Sequence, residues 1–362
     1  MTSIALHDVT VMHDDRALIM QLNLSVATGE RVAILGPSGS GKTTVLRSIA
    51  GLAPVTSGRI MLGDVDVTGM HARDRNVSMA NQEASLQPHL NVRHNLGFAL
   101  KLRRTPQDQI DRRVEAEARA FSLRDLLRRR PKTLSGGERH EVALARSLVR
   151  RSSVLLMDEP FTKVDPVRRG LLLRELIRIQ EGYGVTLLIA TNDQRVALGL
   201  AHRVVVIEQG RLVQVGTPTE IYNRPGSVFA AGFIGTPPMN LIDGVITRID
   251  GRIHVRAGPL ALPTWATGLT GHVGEPVVVG VRPQDAQIDP QPRGSQQRLQ
   301  VVRREFLGAE VALHLATQAD FRLTVIVAHP GPDIDGRVGI SVPPAAVHLF
   351  DPVQGTRIVS GI

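Results

Sequence analysis

The stretch RVAILGPSGSGKTT, residues 31–44, decides the fold. Its first five residues read as an apolar strand, and the rest matches the spacing G-x-x-x-x-G-K-[ST]. Gly36, Gly39 and Gly41, interleaved with Pro37, Ser38 and Ser40, let a tight loop turn its backbone N–H groups inward. The loop runs into a helix opening at Lys42, whose N-terminus adds further donors and its dipole to an anion site. Strand, glycine loop and helix start form the context in which this motif holds phosphates. Lys42 is then placed for the β- and γ-phosphates of ATP, Thr43 offers a hydroxyl to Mg2+, and Thr44 continues the first helical turn.

The segment SVLLMDEP, residues 153–160, supplies a second half. A buried strand would deliver Asp158 and Glu159 to its C-terminal end, where ligands bind in parallel sheets. Asp158 suits Mg2+, mostly through water, and Glu159 suits a base that takes a proton from or orients an attacking water. Alone, the segment reads equally well as a strand ending in a helix-capping acid; paired with the phosphate loop, the nucleotide reading is preferred. The run LLIATNDQR, residues 187–195, ends in Thr191-Asn192-Asp193 and poses the same choice between a site and a helix cap.

A length of 362 residues leaves room for two domains and a sizeable core. The absence of cysteine excludes disulfides, thiolate catalysis and Cys-based metal sites, and the histidines show no metal-ligand spacing. No apolar stretch approaches the roughly 20 residues needed to cross a bilayer. The N-terminus lacks a signal-peptide pattern, so a cytoplasmic location is expected. The net charge of +9 is nearly all arginine, since Lys42, Lys101, Lys132 and Lys163 are the only lysines. Aromatics at 3% leave little for base stacking, and no nucleic-acid partner is expected.

Residues 1–235 alternate short apolar runs with helical stretches, the pattern of an α/β domain. Strands are expected at 4–6, 31–35, 154–157, 185–190 and 204–207, with a hairpin turn at Gln209-Gly210. A helical insert is expected over about 84–150, where Thr105 caps a helix with Pro106 in its first turn. The glycine and prolines of AAGFIGTPPMN (230–240) mark a boundary. Beyond it, GVITRIDGRIHVR (244–256) is a hairpin turning at Asp250-Gly251, and further short strands suggest a small antiparallel barrel over 236–362.

LSGGERHEVALARSL, residues 134–148, resembles the signature of ABC transporter ATPase subunits. With the downstream MDEP, and with VVVGVRPQDAQI, EFLGAEVALHL and AAVHLFDPVQG near the C-terminus, the resemblance spans essentially the whole chain. It is greatest to the maltose/trehalose/glycerol-phosphate importer group, whose ATPases carry a C-terminal transport-associated β-domain. The resemblance implies a P-loop ATPase core with a helical subdomain, followed by an OB-like domain. It implies work at the cytoplasmic face of the membrane with two transmembrane permease subunits and an extracytoplasmic solute-binding protein. It further implies a dimer, with a second copy or a relative, in which Ser135, Gly136, Gly137 and Glu138 of one subunit cover the other's ATP. Gln82 corresponds to the glutamine that senses Mg2+ and water, residues 83–92 to the permease-contacting stretch, and Asp165 to the loop crossing the dimer interface.

Several positions depart from that pattern. His13 stands where an aromatic residue stacks on adenine, Asn81 where Phe is common before Gln82, and Glu138 where Gln is common. Glu141 occupies a position where Arg is common. Asn192 replaces a His that contacts the γ-phosphate; an amide also donates, but is shorter and never cationic. An energy-coupling importer ATPase is the leading expectation, with a weakly hydrolysing, nucleotide-gated regulatory subunit as the alternative. A soluble repair or translation ATPase fits poorly, for want of a second cassette or a coiled-coil insertion.

Overall fold

The computed structural model describes residues 2–80, 86–162, 164–264, 266, 269–289, 298–330 and 336–358. The chain divides into two compact units, Met1–Pro218 and Thr219–Ile362. The first begins with a hairpin, β1 (Ile4–His13) and β2 (Arg16–Val26), followed by β3 (Arg31–Leu35) and α1 (Lys42–Ala50). Next come β4 (Ser57–Leu62), β5 (Val65–Asp66), β6 (Val77–Ala80) and three helices, α2 (Val92–Leu102), α3 (Gln107–Ala120) and α4 (Gly136–Val149). β7 (Val154–Asp158), α5 (Pro166–Tyr183), β8 (Thr186–Thr191) and α6 (Gln194–Leu200) alternate before a closing hairpin, β9 (Arg203–Glu208) and β10 (Arg211–Gly216).

Burial separates two kinds of strand. β7 and β8 are buried along their whole length, and β3 nearly so, because helices cover both faces of a parallel sheet. That sheet runs β10-β9-β3-β8-β7-β6, parallel except for β9–β10. β1 and β2 alternate between buried and exposed residues and belong to a separate antiparallel sheet, β2-β1-β4-β5. Sequence reading found only residues 4–6 of this sheet. The period-2 signal is broken by left-handed residues at Asp8 (φ 48°) and Gln21 (φ 46°), where the β1–β2 register shifts.

Strand order positions the site. Leu35, the last residue of β3, pairs with Thr191 at the end of β8, and Asp158 at the end of β7 pairs with Ala190. Three strand ends therefore lie side by side, with β8 between the phosphate loop and Asp158-Glu159. The helical region expected over 84–150 holds α2, α3 and α4. The expected cap at Thr105 is incorrect: α3 has Pro106 at its N-cap position and no side-chain cap. The Thr105 N–H is used instead to close α2, donating to the Leu100 carbonyl at 3.1 Å.

The second unit starts with short helices, α7 (Pro218–Asn223) and α8 (Val228–Phe233), ahead of β11 (Asn240–Ile249) and β12 (Arg252–Ala257). β13 (Leu260–Pro263), β14 (Pro276–Val281), β15 (Gln287–Asp289) and β16 (Arg298–Phe306) follow. The chain ends with β17 (Glu310–Ala316), β18 (Arg322–Ala328), β19 (Arg337–Ser341) and β20 (His348–Phe350). They form two five-stranded antiparallel sheets, β13-β12-β11-β14-β20 and β15-β19-β16-β17-β18, around a core that includes Val255, Val279, Leu313 and Val325. The turn between β11 and β12 is Asp250-Gly251, both at positive φ. The division at Pro218 lies ahead of residue 235 because α8 packs on β11 and β14. Buried Arg282 adds to this by donating to the carbonyls of Ile234 (2.5 Å) and Tyr222 (3.2 Å). Among the described residues, no helix is long and apolar enough to cross a membrane.

Candidate functional site

Two glycines of the loop after β3 are required by close approach. A side chain at Gly36 would stand 2.3 Å from the Ile207 carbonyl oxygen, and one at Gly41, where φ is +102°, 2.7 Å from that of Leu18. Gly41 is the N-cap of α1, and among the described residues no side chain caps the N–H groups of its first turn. The loop is buttressed from outside, since the Gly210 N–H donates to the Ser40 carbonyl at 3.0 Å. The Ser40 hydroxyl is buried without a partner. Thr44 uses its carbonyl to accept from the Ser48 hydroxyl.

Lys42 is buried and donates to the carbonyls of Gly36 and Pro37, both at 2.8 Å. Burial pushes its ammonium below the usual lysine range, while the charges of Glu159 and Asp158 act the other way. The Thr43 hydroxyl donates to Asp158 Oδ1 at 3.0 Å, joining α1 to the end of β7. Burial raises the Asp158 carboxyl, opposed by that hydrogen bond and by Lys42. A hydroxyl and a carboxylate so close form a hard-oxygen pair of the kind Mg2+ accepts beside phosphate oxygens.

Glu159 adopts φ 47°, a left-handed conformation costing about 1–3 kcal/mol for a non-glycine residue. The turn aims its carboxylate at the end of β8. Oε1 accepts from the Asn192 backbone N–H at 2.9 Å, and Oε2 lies 3.3 Å from the Thr191 hydroxyl and 3.2 Å from that of Thr162. Its own N–H donates to the Ala190 carbonyl at 2.9 Å. Asn192 is exposed, and it is its backbone that holds Glu159. Asp193 caps α6, accepting from the N–H groups of Arg195 and Val196, and pairs with Arg169. The polar strand end is thus both things the sequence left open, a buttress for Glu159 and a helix cap. His202 lies at the other end of the sheet, accepting from the Arg31 N–H, so it does not replace the missing histidine.

At the start of α4, the Ser135 hydroxyl accepts from the Glu138 N–H at 3.2 Å and Glu138 Oε2 accepts from the Ser135 N–H at 2.7 Å, a capping box. That backbone hydrogen bond holds the Glu138 carboxyl below its usual range. The Cα faces of Gly136 and Gly137 are open. Asp165 is the N-cap of α5 and accepts from the Arg168 N–H at 2.9 Å. Among the described residues, no hydrogen bond or ion pair links Ser135–Glu138 to the phosphate loop, so the chain carries two separate groups of site residues.

A cavity of about 730 Å3 opens beside the phosphate loop, lined in part by Arg16, Leu18, Met20, Ser38, Gly39 and Gln209. His13, opposite Arg16 in the β1–β2 hairpin, is not among its walls; its Nδ1 lies 3.1 Å from Asp14. Sequence reading missed Arg16 because it missed β2. Gln82, with Asn81, lies outside the described residues.

The chain matches the family described as ABC transporter over residues 19–162, the MalK OB fold domain over 235–286 and the TOBE domain over 279–350. It is 40% identical over 360 residues to an sn-glycerol-3-phosphate import ATP-binding protein, UgpC, of Salmonella choleraesuis, covering 99% of this chain and all of the relative. The protein of the same name from Yersinia pseudotuberculosis is 37% identical over 365 residues, covering 99% of each. Among solved structures, the dimeric post-hydrolysis state of the ATP-binding cassette MJ0796 with ADP and Pi superposes with a TM-score of 0.55 at 24% identity. It covers 59% of this chain and 98% of that one.

Proposed function

This chain belongs to the ABC transporter ATP-binding proteins that power import, and from that premise we propose that it drives uptake of an sn-glycerol-3-phosphate-type solute. Family membership makes it an ATP-binding, ATP-hydrolysing subunit with a RecA-like core and C-terminal OB and TOBE domains. The solute, a small phosphorylated polyol, is suggested by the names of the relatives. In this reading the chain sits at the cytoplasmic face of the membrane as a homodimer. It works under two permease subunits fed by a solute-binding protein.

The observation carrying the chemistry is the Glu159 carboxylate, fixed by the Asn192 N–H and Thr191 beside the Thr43–Asp158 pair. The loop N–H groups and Lys42 bind and orient the phosphates, and Glu159 accepts a proton from the attacking water or aligns it. Thr43 and Asp158, with Gln82, would hold Mg2+, which when bound neutralises charge on the β- and γ-phosphates. Ser135, Gly136 and Gly137 of the facing subunit, with Asp165 crossing the interface, complete the shell over the γ-phosphate. The regulatory-subunit alternative draws no support from the relatives, which are named as import ATP-binding proteins.

Reconstitution with the permeases and the loaded binding protein tests this. sn-Glycerol-3-phosphate is expected to stimulate phosphate release, and Glu159→Gln to abolish release while ATP binding persists. Stimulation by maltose but not by the phosphorylated polyol would reject the solute assignment.

A further inference from the structure

Glu141, where the resemblance expects arginine, is a buried acid on α4, 4% exposed. Its carboxylate accepts from Nε of Arg168 and, at 2.6 Å, from Nη2 of the same guanidinium. Arg168 stands in the first turn of α5 and donates its backbone N–H to Asp165 at 2.9 Å. One residue before Glu141, His140 hydrogen-bonds the carbonyl of Pro160, the residue after Glu159. Because a carbonyl only accepts, the His140 Nε2 carries the proton in that contact. Two adjacent residues of α4 are therefore fastened to the two ends of the segment from Pro160 to Arg168, which carries Asp165.

A planar fork around a carboxylate restrains both distance and orientation, unlike a single hydrogen bond. Opening it would leave the buried Glu141 charge unpaired, which is strongly unfavourable. The side chains of Glu138 and Asp165 add negative charge around the same guanidinium. The chain thus meets its departure from the family pattern at 141 with a cation at 168.

We infer that the Glu141–Arg168 pair is a positioning clamp through which the signature turn, 135–137, and the Asp165 loop move as one body in the dimer. Arg168 and Glu141 touch no nucleotide; they fix two elements that do. The inference rests on the dimer proposed above, in which both elements face the partner subunit. The partner's ATP captured under Ser135–Gly137 then sets, through the clamp and the His140–Pro160 contact, the segment that carries this subunit's own Glu159, so the two sites act cooperatively. A merely structural tie would stabilise the fold without linking the sites.

The test compares the full-length chain, reconstituted with its permeases, with Arg168→Gln, Arg168→Lys and the exchanged pair Glu141→Arg/Arg168→Glu. Steady-state hydrolysis against ATP concentration is read together with melting temperature and ATP binding to the isolated subunit. The parent is expected to show a Hill coefficient approaching about 2, its number of sites. Arg168→Gln is expected to lower it to about 1 with isolated-subunit ATP affinity unchanged. Arg168→Lys, which loses the fork, should fall between, and the exchanged pair should recover most of the parent's value. A folded Arg168→Gln protein with the parent's Hill coefficient overturns the clamp. So does a folded exchanged pair no more cooperative than Arg168→Lys, the comparison that decides if Arg168→Gln fails to fold. If Glu159→Gln forms no ATP-dependent dimer in sedimentation, the dimer reading fails and the clamp with it. A dimer with unaltered cooperativity rejects the clamp alone.

Discussion

The N-termini of α1 and α4, which the proposed function assigns to phosphate, are finished in opposite ways. α1 begins at Gly41, without a side-chain cap and without an acid in its first turn. α4 begins with Ser135 and Glu138 satisfying each other's backbone N–H groups, which leaves a carboxylate in the first turn. The first end keeps its donors for a ligand and adds the Lys42 cation. The second is stable by itself and meets an approaching phosphate with a like charge. The contrast teaches that one end is built to hold ATP permanently ready, while the other suits an engagement that forms and breaks.

Breaking the first end should have the largest effect. Lys42→Ala is expected to abolish ATP-dependent dimer closure in a cross-linking assay and to cut phosphate release by about a thousandfold. Unchanged closure would remove the phosphate loop from the energy site. Next in size, Asn192→His should raise phosphate release, by up to about a hundredfold, by restoring a donor to the γ-phosphate. The hydrogen bond to Glu159 comes from the Asn192 backbone and survives the exchange. A lower rate would mean that the Asn192 amide is itself a working part.

Two acids of the helical region sharpen the comparison further. Glu138 is held ionised by a backbone N–H, whereas Glu117 on α3 is 2% exposed and burial pushes it up to about 7. Arg151, Arg178, Tyr183 and Glu175 surround it, and its Oε2 has no partner. With the folded pKa above the unfolded 4.5, the folded state binds the extra proton. Stability is therefore full below about 4.5 and falls as pH rises to about 7, by roughly 3 kcal/mol. Denaturant midpoints across that window should show the slope, and Glu117→Gln should flatten it. A slope that persists in the variant assigns it to another group. The smallest effect concerns the second helix end: Glu138→Gln should tighten the ATP-dependent dimer about two- to fivefold at low salt, fading at high salt. A looser dimer would show that the capping box outweighs the repulsion.

Much of this was legible in the sequence, for identifiable reasons. β3, β7 and β9 came close to their expected bounds because strands buried on both faces read as unbroken apolar runs. Lys42, Thr43, Asp158 and Glu159 were legible because phosphate chemistry ties each to a fixed offset from a strand end. β2 was missed where bulges broke its alternation, and with it Arg16 beside the phosphate loop. Thr105 was misread as a cap because α3 begins one residue later than the Thr-Pro pattern suggests, with Pro106 itself at the N-cap position.

The sequence by itself determined the class of chemistry, because the phosphate loop, the acid pair and the signature turn are local patterns whose backbone geometry follows from glycine, apolar runs and caps. Only the tertiary structure decided what Asn192 and Glu141 do. β8 lies between β3 and β7, an order that no local pattern encodes, and this brings the Asn192 N–H to Glu159. Glu141 meets Arg168 for the same reason: their contact is made by packing α4 against the start of α5, 27 positions on in the chain.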